Sequence, residues 1–99
     1  MIVYEVTALV TPDLVQDYEH FMREDHIPAV LATGCFHRAA FLRADTGRYR
    51  MRYEASSSPD LDRYLAGHAP ALREDFAARF PDGVTVSREV WVVLQGWEV

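Results

Sequence analysis

The sequence predicts an α+β fold of the ferredoxin-like type, a four-stranded antiparallel sheet with two helices on one face, in the order βαββαβ. Two observations predict it. Segments with the two-residue alternation of strands and segments with helical spacing follow one another in that order. Each helical segment also carries one copy of a His-x-Pro motif, at residues 26–28 in the first half and 68–70 in the second. The two halves are therefore predicted to be pseudo-equivalent.

The first half begins with a strand at 2–10, whose alternate residues are apolar and predicted to face the helices. Those inward residues are Ile2, Tyr4, Val6, Ala8 and Val10. A helix is then predicted, because Thr11 is a typical N-cap and Pro12 a typical first residue. Gly34 is predicted to end this helix as its C-cap.

The first His-x-Pro motif lies inside that helix. His26 follows Met22 by four residues and shares its apolar stripe. A residue before proline avoids the helical region, so a kink or restart of the helix is expected at Ile27 and Pro28.

The first half ends with a strand at 35–44, and a turn at 45–47 leads into the second half, which repeats the strand–helix–strand pattern. Its predicted segments are a strand at 48–55, a helix that Ser58 caps and Pro59 begins, and a strand at 84–94. One domain, 1–99, holds all of these elements.

Two helices cover one face of the sheet, which leaves the second face for solvent or for a partner. Large apolar residues share this second face with charges of both signs. The apolar residues assigned to it are Val3, Leu9, Phe41, Trp91 and Val93. A solvated face would hold fewer bulky residues, so we expect a homodimer that forms through this face.

Composition narrows the possible partners and the compartment. The net charge is −5 and no basic stripe is present, so a nucleic-acid partner is not expected. No apolar run reaches the length of a membrane span, and the N-terminal segment carries Glu5 and lacks the basic region of a signal peptide. The single Cys35 makes no internal disulfide, which favours a cytoplasmic location.

One stretch carries a family resemblance. The run EDHIPAVLATGCF, from Glu24 to Phe36, resembles the signature of a small bacterial family of unknown function in the dimeric α+β barrel superfamily. The resemblance continues at 60–65 and 68–74 and ends near Arg88. It implies a ferredoxin-like protomer and a dimer. Its superfamily relatives include cofactor-independent monooxygenases, lactone isomerases, polyketide cyclases and haem-degrading enzymes, so the resemblance does not select a function.

The two histidines are the candidate catalytic residues. A neutral imidazole at His26, between helix and sheet, suits a general base or acid near pH 7. His68, at the equivalent position of the second helix, is the weaker candidate. The structural alternative is that each ring hydrogen-bonds a main-chain carbonyl that the following proline leaves free.

Inward-facing tyrosines are the candidate substrate-binding residues. Tyr4, Tyr49 and Tyr53 place several hydroxyls in a small core, which favours a partly polar pocket. Met22 lies one turn before His26 and is assigned to the same pocket.

No metal and no cofactor are expected. His20 and Glu24 lie off the stripe that holds His26, and no zinc-like spacing occurs. A thiolate at Cys35 paired with His37 is conceivable, but a buried structural thiol is more usual.

The sequence therefore predicts a homodimer that binds a small aromatic or polyketide-like molecule in a pocket between sheet and helices. Cofactor-independent acid/base chemistry of the cyclase, isomerase or monooxygenase type is expected at His26. The alternative is a non-catalytic structural or ligand-binding dimer in which both motifs serve only as helix kinks.

Overall fold

The computed structural model describes residues 1–99, and its elements follow the predicted order. The strands are β1 (Ile2–Val10), β2 (Arg38–Arg43), β3 (Arg48–Ala55) and β4 (Val84–Val92). The helices are α1 (Val15–Phe21), α2 (Ile27–Ala32), α3 (Ser58–Gly67) and α4 (Ala69–Arg79). A 3₁₀ turn at Pro12–Leu14 precedes α1, and a π-helical turn at Met22–His26 joins α1 to α2.

The sheet has the strand order β2-β3-β1-β4, and all of its pairs are antiparallel. The central strand β1 pairs with β3 from Ile2 opposite Ala55 to Leu9 opposite Arg48. On its other side, β1 pairs with β4 along its whole length. The predicted ferredoxin-like α+β fold is confirmed.

Alternation along the central strands places the core on the helix side of the sheet. The predicted inward residues of β1 are all buried. The residues of β3 that share this face are Tyr49, Met51, Tyr53 and Ala55, and these are buried as well. Side chains directly opposite one another across a ladder share a face, so the two strands present one continuous apolar surface to the helices.

The predicted restart of the helix at Ile27 and Pro28 is confirmed, since α2 begins at Ile27, and the chain departs from the α-helical pattern in the turn just before it. Ile27 keeps helical angles (φ −62°, ψ −45°) although it precedes Pro28. Its amide instead bonds the carbonyl of Met22, five residues back, which is the pattern of a π-helical turn. Pro28 then occupies the first turn of α2, where an amide donor is not needed.

Further predicted boundaries shift as well. Strand β2 covers Arg38–Arg43 rather than 35–44, and β4 ends at Val92 rather than 94. The ladder runs out there because β1 has no residue left to pair, and the last bond joins the Val93 amide to the Met1 carbonyl. The N-cap of α3 is Ser57, not Ser58, and its hydroxyl bonds Asp60.

The assignment of Phe41 to the second face is wrong. Phe41 lies opposite Met51, whose side chain is in the core, so both face the helices. Its ring is 6.2 Å from that of Tyr18 and 5.5 Å from that of Tyr49. Alternation fixes which residues of a strand share a face, but only the register with β3 fixes which face that is.

The second face of the sheet carries no helix. Leu9 and Trp91 are each 52% exposed on it, beside ion pairs that Glu5 makes with Arg50 and Arg52. No helix in the structure has the length and apolar character needed to cross a membrane.

Candidate functional site

A small cavity lies between the sheet and the helices, lined by β1, β3 and β4 on one side and by α1, the π-helical turn, α3 and α4 on the other. Its volume is about 40 Å³. A buried water needs about 10–15 Å³, and an engineered apolar cavity of about 150 Å³ admits benzene. The cavity therefore has room for a few waters or for the edge of a ligand.

The π-helical turn places His26 at this cavity. Tyr18, Met22, His26 and Val30 follow one another at intervals of four residues. In an α-helix, four residues overshoot one turn by about 40°, so such a stripe would rotate away from the sheet. The wider π turn offsets this drift. As a result Met22 and His26 both line the cavity, while Val30 remains fully buried.

The ring of His26 packs among aromatic side chains and makes no hydrogen bond to the protein. Its centroid lies 5.5 Å from that of Phe76 and 5.8 Å from that of Phe21. Burial lowers the pKa of His26 below its ordinary value, and the positive charge of Arg88 lowers it further, against a smaller opposing effect of Asp75. His26 is therefore a neutral imidazole at pH 7, with a free lone pair.

Two tyrosines at the cavity keep their hydroxyls protonated. Burial raises the pKa of Tyr64 to about 12, and burial also raises the pKa of Tyr53 above its ordinary value. Neither hydroxyl hydrogen-bonds a protein group. Since no fully buried polar side-chain atom lacks a partner, the oxygen atoms of both hydroxyls are still accessible. Both hydroxyls are thus available as donors to whatever occupies the cavity.

The other two tyrosine hydroxyls at the cavity are already engaged. Tyr4 accepts a hydrogen bond from the Arg73 guanidinium at 3.0 Å. Tyr18 donates to the sulfur of Met51 at 3.6 Å. These contacts fix the side chains that form the walls around the free groups.

Four of the six predicted site residues meet at this cavity, namely Tyr4, Met22, His26 and Tyr53. Tyr49 does not line it, because its hydroxyl donates to Glu19 at 2.5 Å on the far side of Tyr18. His68 lies at the break between α3 and α4, where its ring stacks on Tyr64 with centroids 6.5 Å apart. The structure does not bring His68 into the cavity lining.

Sequence reasoning missed Tyr64, Arg73 and Arg88, which also line the cavity. Arg88 had a signal in the sequence. The inward positions of β4 are otherwise all valines, and Arg88 lies among them, opposite Val6 of β1. A single charge in an inward apolar row marks a polar site. Arg73 had no such signal.

The pairing of Cys35 with His37, the less favoured of the two interpretations of the sequence, does not occur in the structure. The Cys35 thiol is buried and lies 3.9 Å from the Thr33 carbonyl. His37 is exposed, and its ring bonds the Ser56 hydroxyl at 3.3 Å. No group of three or more His, Cys, Asp or Glu side chains lies close enough together to hold a metal ion.

A protein-family model matches most of the chain. The model described as "Domain of unknown function (DUF4286)" matches residues 1–94. No curated protein matches the chain.

Solved structures share the fold at low identity. SnoaB, a cofactor-independent oxygenase from Streptomyces nogalater, is 15% identical, with a TM-score of 0.70 over 96% of this chain and 94% of that one. A Nitrosomonas europaea protein provisionally named an antibiotic biosynthesis monooxygenase is 17% identical, with a TM-score of 0.70 over 96% of this chain and 100% of that one. A variant of MhuD, with two manganese protoporphyrin IX bound per active site, is 19% identical, with a TM-score of 0.75 over 100% of both chains. At these identities the likeness concerns the fold alone.

Proposed function

The chain belongs to the DUF4286 family, whose function is unknown, and from its cavity we propose that it binds a small aromatic molecule and moves a proton at His26. One observation carries this proposal. A neutral imidazole without a protein partner faces the same cavity as the two unpartnered hydroxyls of Tyr53 and Tyr64.

The chemistry follows from these three groups. The free nitrogen of His26 accepts a proton from a ring hydroxyl or from an activated carbon of the ligand, and becomes an imidazolium. Tyr53 and Tyr64 donate hydrogen bonds to the phenolate or enolate oxygen that forms. Their high pKa values keep both of them as donors while that charge develops.

The structural alternative, in which His26 only ties down a helix kink, has less support. That role requires the ring to bond a main-chain carbonyl, and the ring bonds none. The π-helical turn satisfies the backbone without help from the side chain.

The cavity size restricts what enters. At about 40 Å³ it admits the polar edge of a ring, and a whole ring enters only if the flexible Met22 or Met51 side chains move. A porphyrin, as in the MhuD variant, does not fit this space. The likeness to SnoaB supports chemistry without a cofactor for this chain, at the level of fold analogy.

4-Nitrophenol tests the proposal, because its anion is yellow and its neutral form is colourless. About one pH unit below the probe's own pKa, binding to the wild type should increase the anion absorbance saturably, since His26 accepts the proton. His26→Gln should bind the probe with a clearly smaller increase, because only the charges of Arg73 and Arg88 then favour the anion. His20→Gln, an exposed histidine of α1, should behave as the wild type.

Methyl NMR then locates the probe. The chain has three methionines, of which Met22 and Met51 line the cavity and Met1 does not. The methyl signals of Met22 and Met51 should shift on binding, and that of Met1 should not. Binding that leaves the two cavity methyls unchanged would contradict the proposal.

We also propose that the chain forms a homodimer through the second face of the sheet. The exposed Leu9 and Trp91 and the mixed charges of that face support it. The superfamily to which the fold is similar is named for such dimers.

A further inference from the structure

The arginines of this chain separate into three groups by what they contact. Of the ten basic residues, all of them arginine, seven pair with a carboxylate. Arg79 stacks on the ring of Phe80, with the guanidinium 4.7 Å from the centroid. The remaining two, Arg73 and Arg88, have neither kind of partner, and both line the cavity.

These two arginines give the cavity a positive potential in an acidic protein. No carboxylate lines the cavity, although the net charge of the chain is −5. Both charges affect groups at the cavity. Arg88 lowers the pKa of His26, and both arginines lower the pKa of Tyr64, against the larger effect of burial. Asp75 is the acidic group that acts on His26 from α4, and its effect is the smallest of the three.

Arg73 is also held in place. Its guanidinium donates to the Tyr4 hydroxyl at 3.0 Å, and Tyr4 is itself buried against Tyr53 and Tyr64. A guanidinium that donates one hydrogen bond to a fixed hydroxyl keeps its other donors free. Arg73 and Arg88 come from α4 and β4, so two separate elements converge on one opening.

We propose that the cavity selects an aromatic carboxylate, and that Arg73 and Arg88 determine this selectivity by binding the carboxylate group at the opening. A planar guanidinium matches a carboxylate in geometry and can bind it through two parallel hydrogen bonds. The ring of the ligand then lies with its edge toward His26, Tyr53 and Tyr64. The proposal rests on the proposed function, because it names the class of molecule that the same cavity binds.

Benzoate and benzamide test the selectivity, because they share a shape and differ in charge. Each would be titrated into protein with labelled methionine methyls, and affinity would be taken from the Met22 and Met51 signals. Benzoate should bind roughly tenfold more tightly than benzamide, or more, since two charge-assisted contacts distinguish them. Arg73→Gln and Arg88→Gln should each weaken benzoate several-fold and leave benzamide unchanged. Arg88→Gln leaves the Tyr4 hydrogen bond intact, so it separates charge from the positioning of Tyr4.

Arg50→Gln is the matched control. Arg50 pairs with Glu5 on the second face of the sheet, so its loss changes the net charge equally and leaves the cavity unchanged. It should not alter the affinity for benzoate.

Each other result has a separate meaning. Equal affinities for benzoate and benzamide at the cavity methyls would overturn the selectivity and leave aromatic binding intact. An effect of Arg50→Gln as large as that of Arg88→Gln would also overturn it, because net charge would then be the cause. Failure of both probes to shift Met22 and Met51 would overturn the selectivity together with the proposed function.

Discussion

At the scale of single residues, His26 combines partial burial with a lack of hydrogen-bond partners in the protein. Its ring packs against Phe21 and Phe76, and the burial of the ring together with the charge of Arg88 disfavours the imidazolium. A half-buried polar ring loses part of its contact with water and gains no hydrogen bond from the protein in return. The arrangement leaves a nitrogen of the ring open to a ligand in the cavity.

The lowered pKa of His26 predicts a stability effect in acid. Below the unfolded-state pKa of about 6.5, the unfolded chain takes up a proton that the folded chain resists, so folding stability falls as the pH decreases through that window. Urea unfolding of the wild type should therefore lose more free energy between about pH 7.5 and pH 5 than unfolding of His26→Gln. The protomer concentration is held fixed, because the stability of a dimer depends on it.

His20→Gln is the control for this comparison, since His20 is exposed on α1 and should leave the pH dependence of the wild type unchanged. Equal losses in wild type and His26→Gln would show that His26 is protonated as readily in the folded chain as in the unfolded one.

The candidate site was partly predictable at this scale. Helical spacing brought Met22 and His26 together, and strand alternation brought Tyr4 and Tyr53 inward. Tyr49 shares the face of Tyr53, but four residues of strand separate them by about 13 Å, and alternation carries no information on position along the sheet. Arg73 comes from another element, and only the packing of α4 against β1 brings it to Tyr4.

At the scale of elements, the strands were predictable because several alternating residues in each strand lead to the same assignment. Strand β3 alternates buried and exposed residues over most of its length, and its observed range equals the predicted one. The helix with the first His-x-Pro motif was less predictable. A π-helical turn allows buried residues spaced by four to stay on one side of a helix, although the α-helix has 3.6 residues per turn. No single residue type marks such a turn.

Two glycines give a matched prediction, one in a turn and one at the end of a helix. Gly47, in the turn before β3, has φ +89°, and an added Cβ would lie 2.6 Å from the carbonyl oxygen of Val10. Gly67, the last residue of α3, has no atom within 4 Å of an added Cβ and no positive φ. Gly47→Ala should lower the unfolding free energy by about 1–2 kcal/mol or more, because an L-residue is strained there. Gly67→Ala should raise it, by up to about 1 kcal/mol.

Urea unfolding of both variants beside the wild type measures this difference. A neutral Gly47→Ala would mean that the turn moves away from Val10 without loss of the ladder.

At the scale of the whole molecule, the two faces of the sheet have different roles. The helix side encloses the core and the cavity, and the second face presents the exposed Trp91 and Leu9 on either side of the ion pairs of Glu5. Exposed ion pairs contribute about 0–1 kcal/mol each, so those of Glu5 contribute little to the stability of the protomer. They fit better as the polar contacts of an interface, where charged groups determine how two sheets align.

Neighbouring residues of β4 test that interface. Trp91 and Val90 are exposed to 52% and 53%, but they point to opposite faces of the sheet, since Trp91 lies opposite Val3 and Val90 opposite Tyr4. In sedimentation at micromolar concentration, the wild type should show twice the protomer mass of 11.3 kDa. Trp91→Arg should shift it to the protomer mass, because a charge that the contact buries without a partner is costly to desolvate. Val90→Arg should leave it dimeric.

Leu9→Arg, on β1 of the same face, should act as Trp91→Arg does, and circular dichroism would show whether each variant remains folded. A wild type that sediments as a protomer would contradict the dimer. Dissociation by Val90→Arg alone would place the contact on the helix side, and the exposed Trp91 and Leu9 would then have no partner. The test of the dimer therefore depends on which face of β4 tolerates a charge. The register of the sheet determines which residues lie on each face.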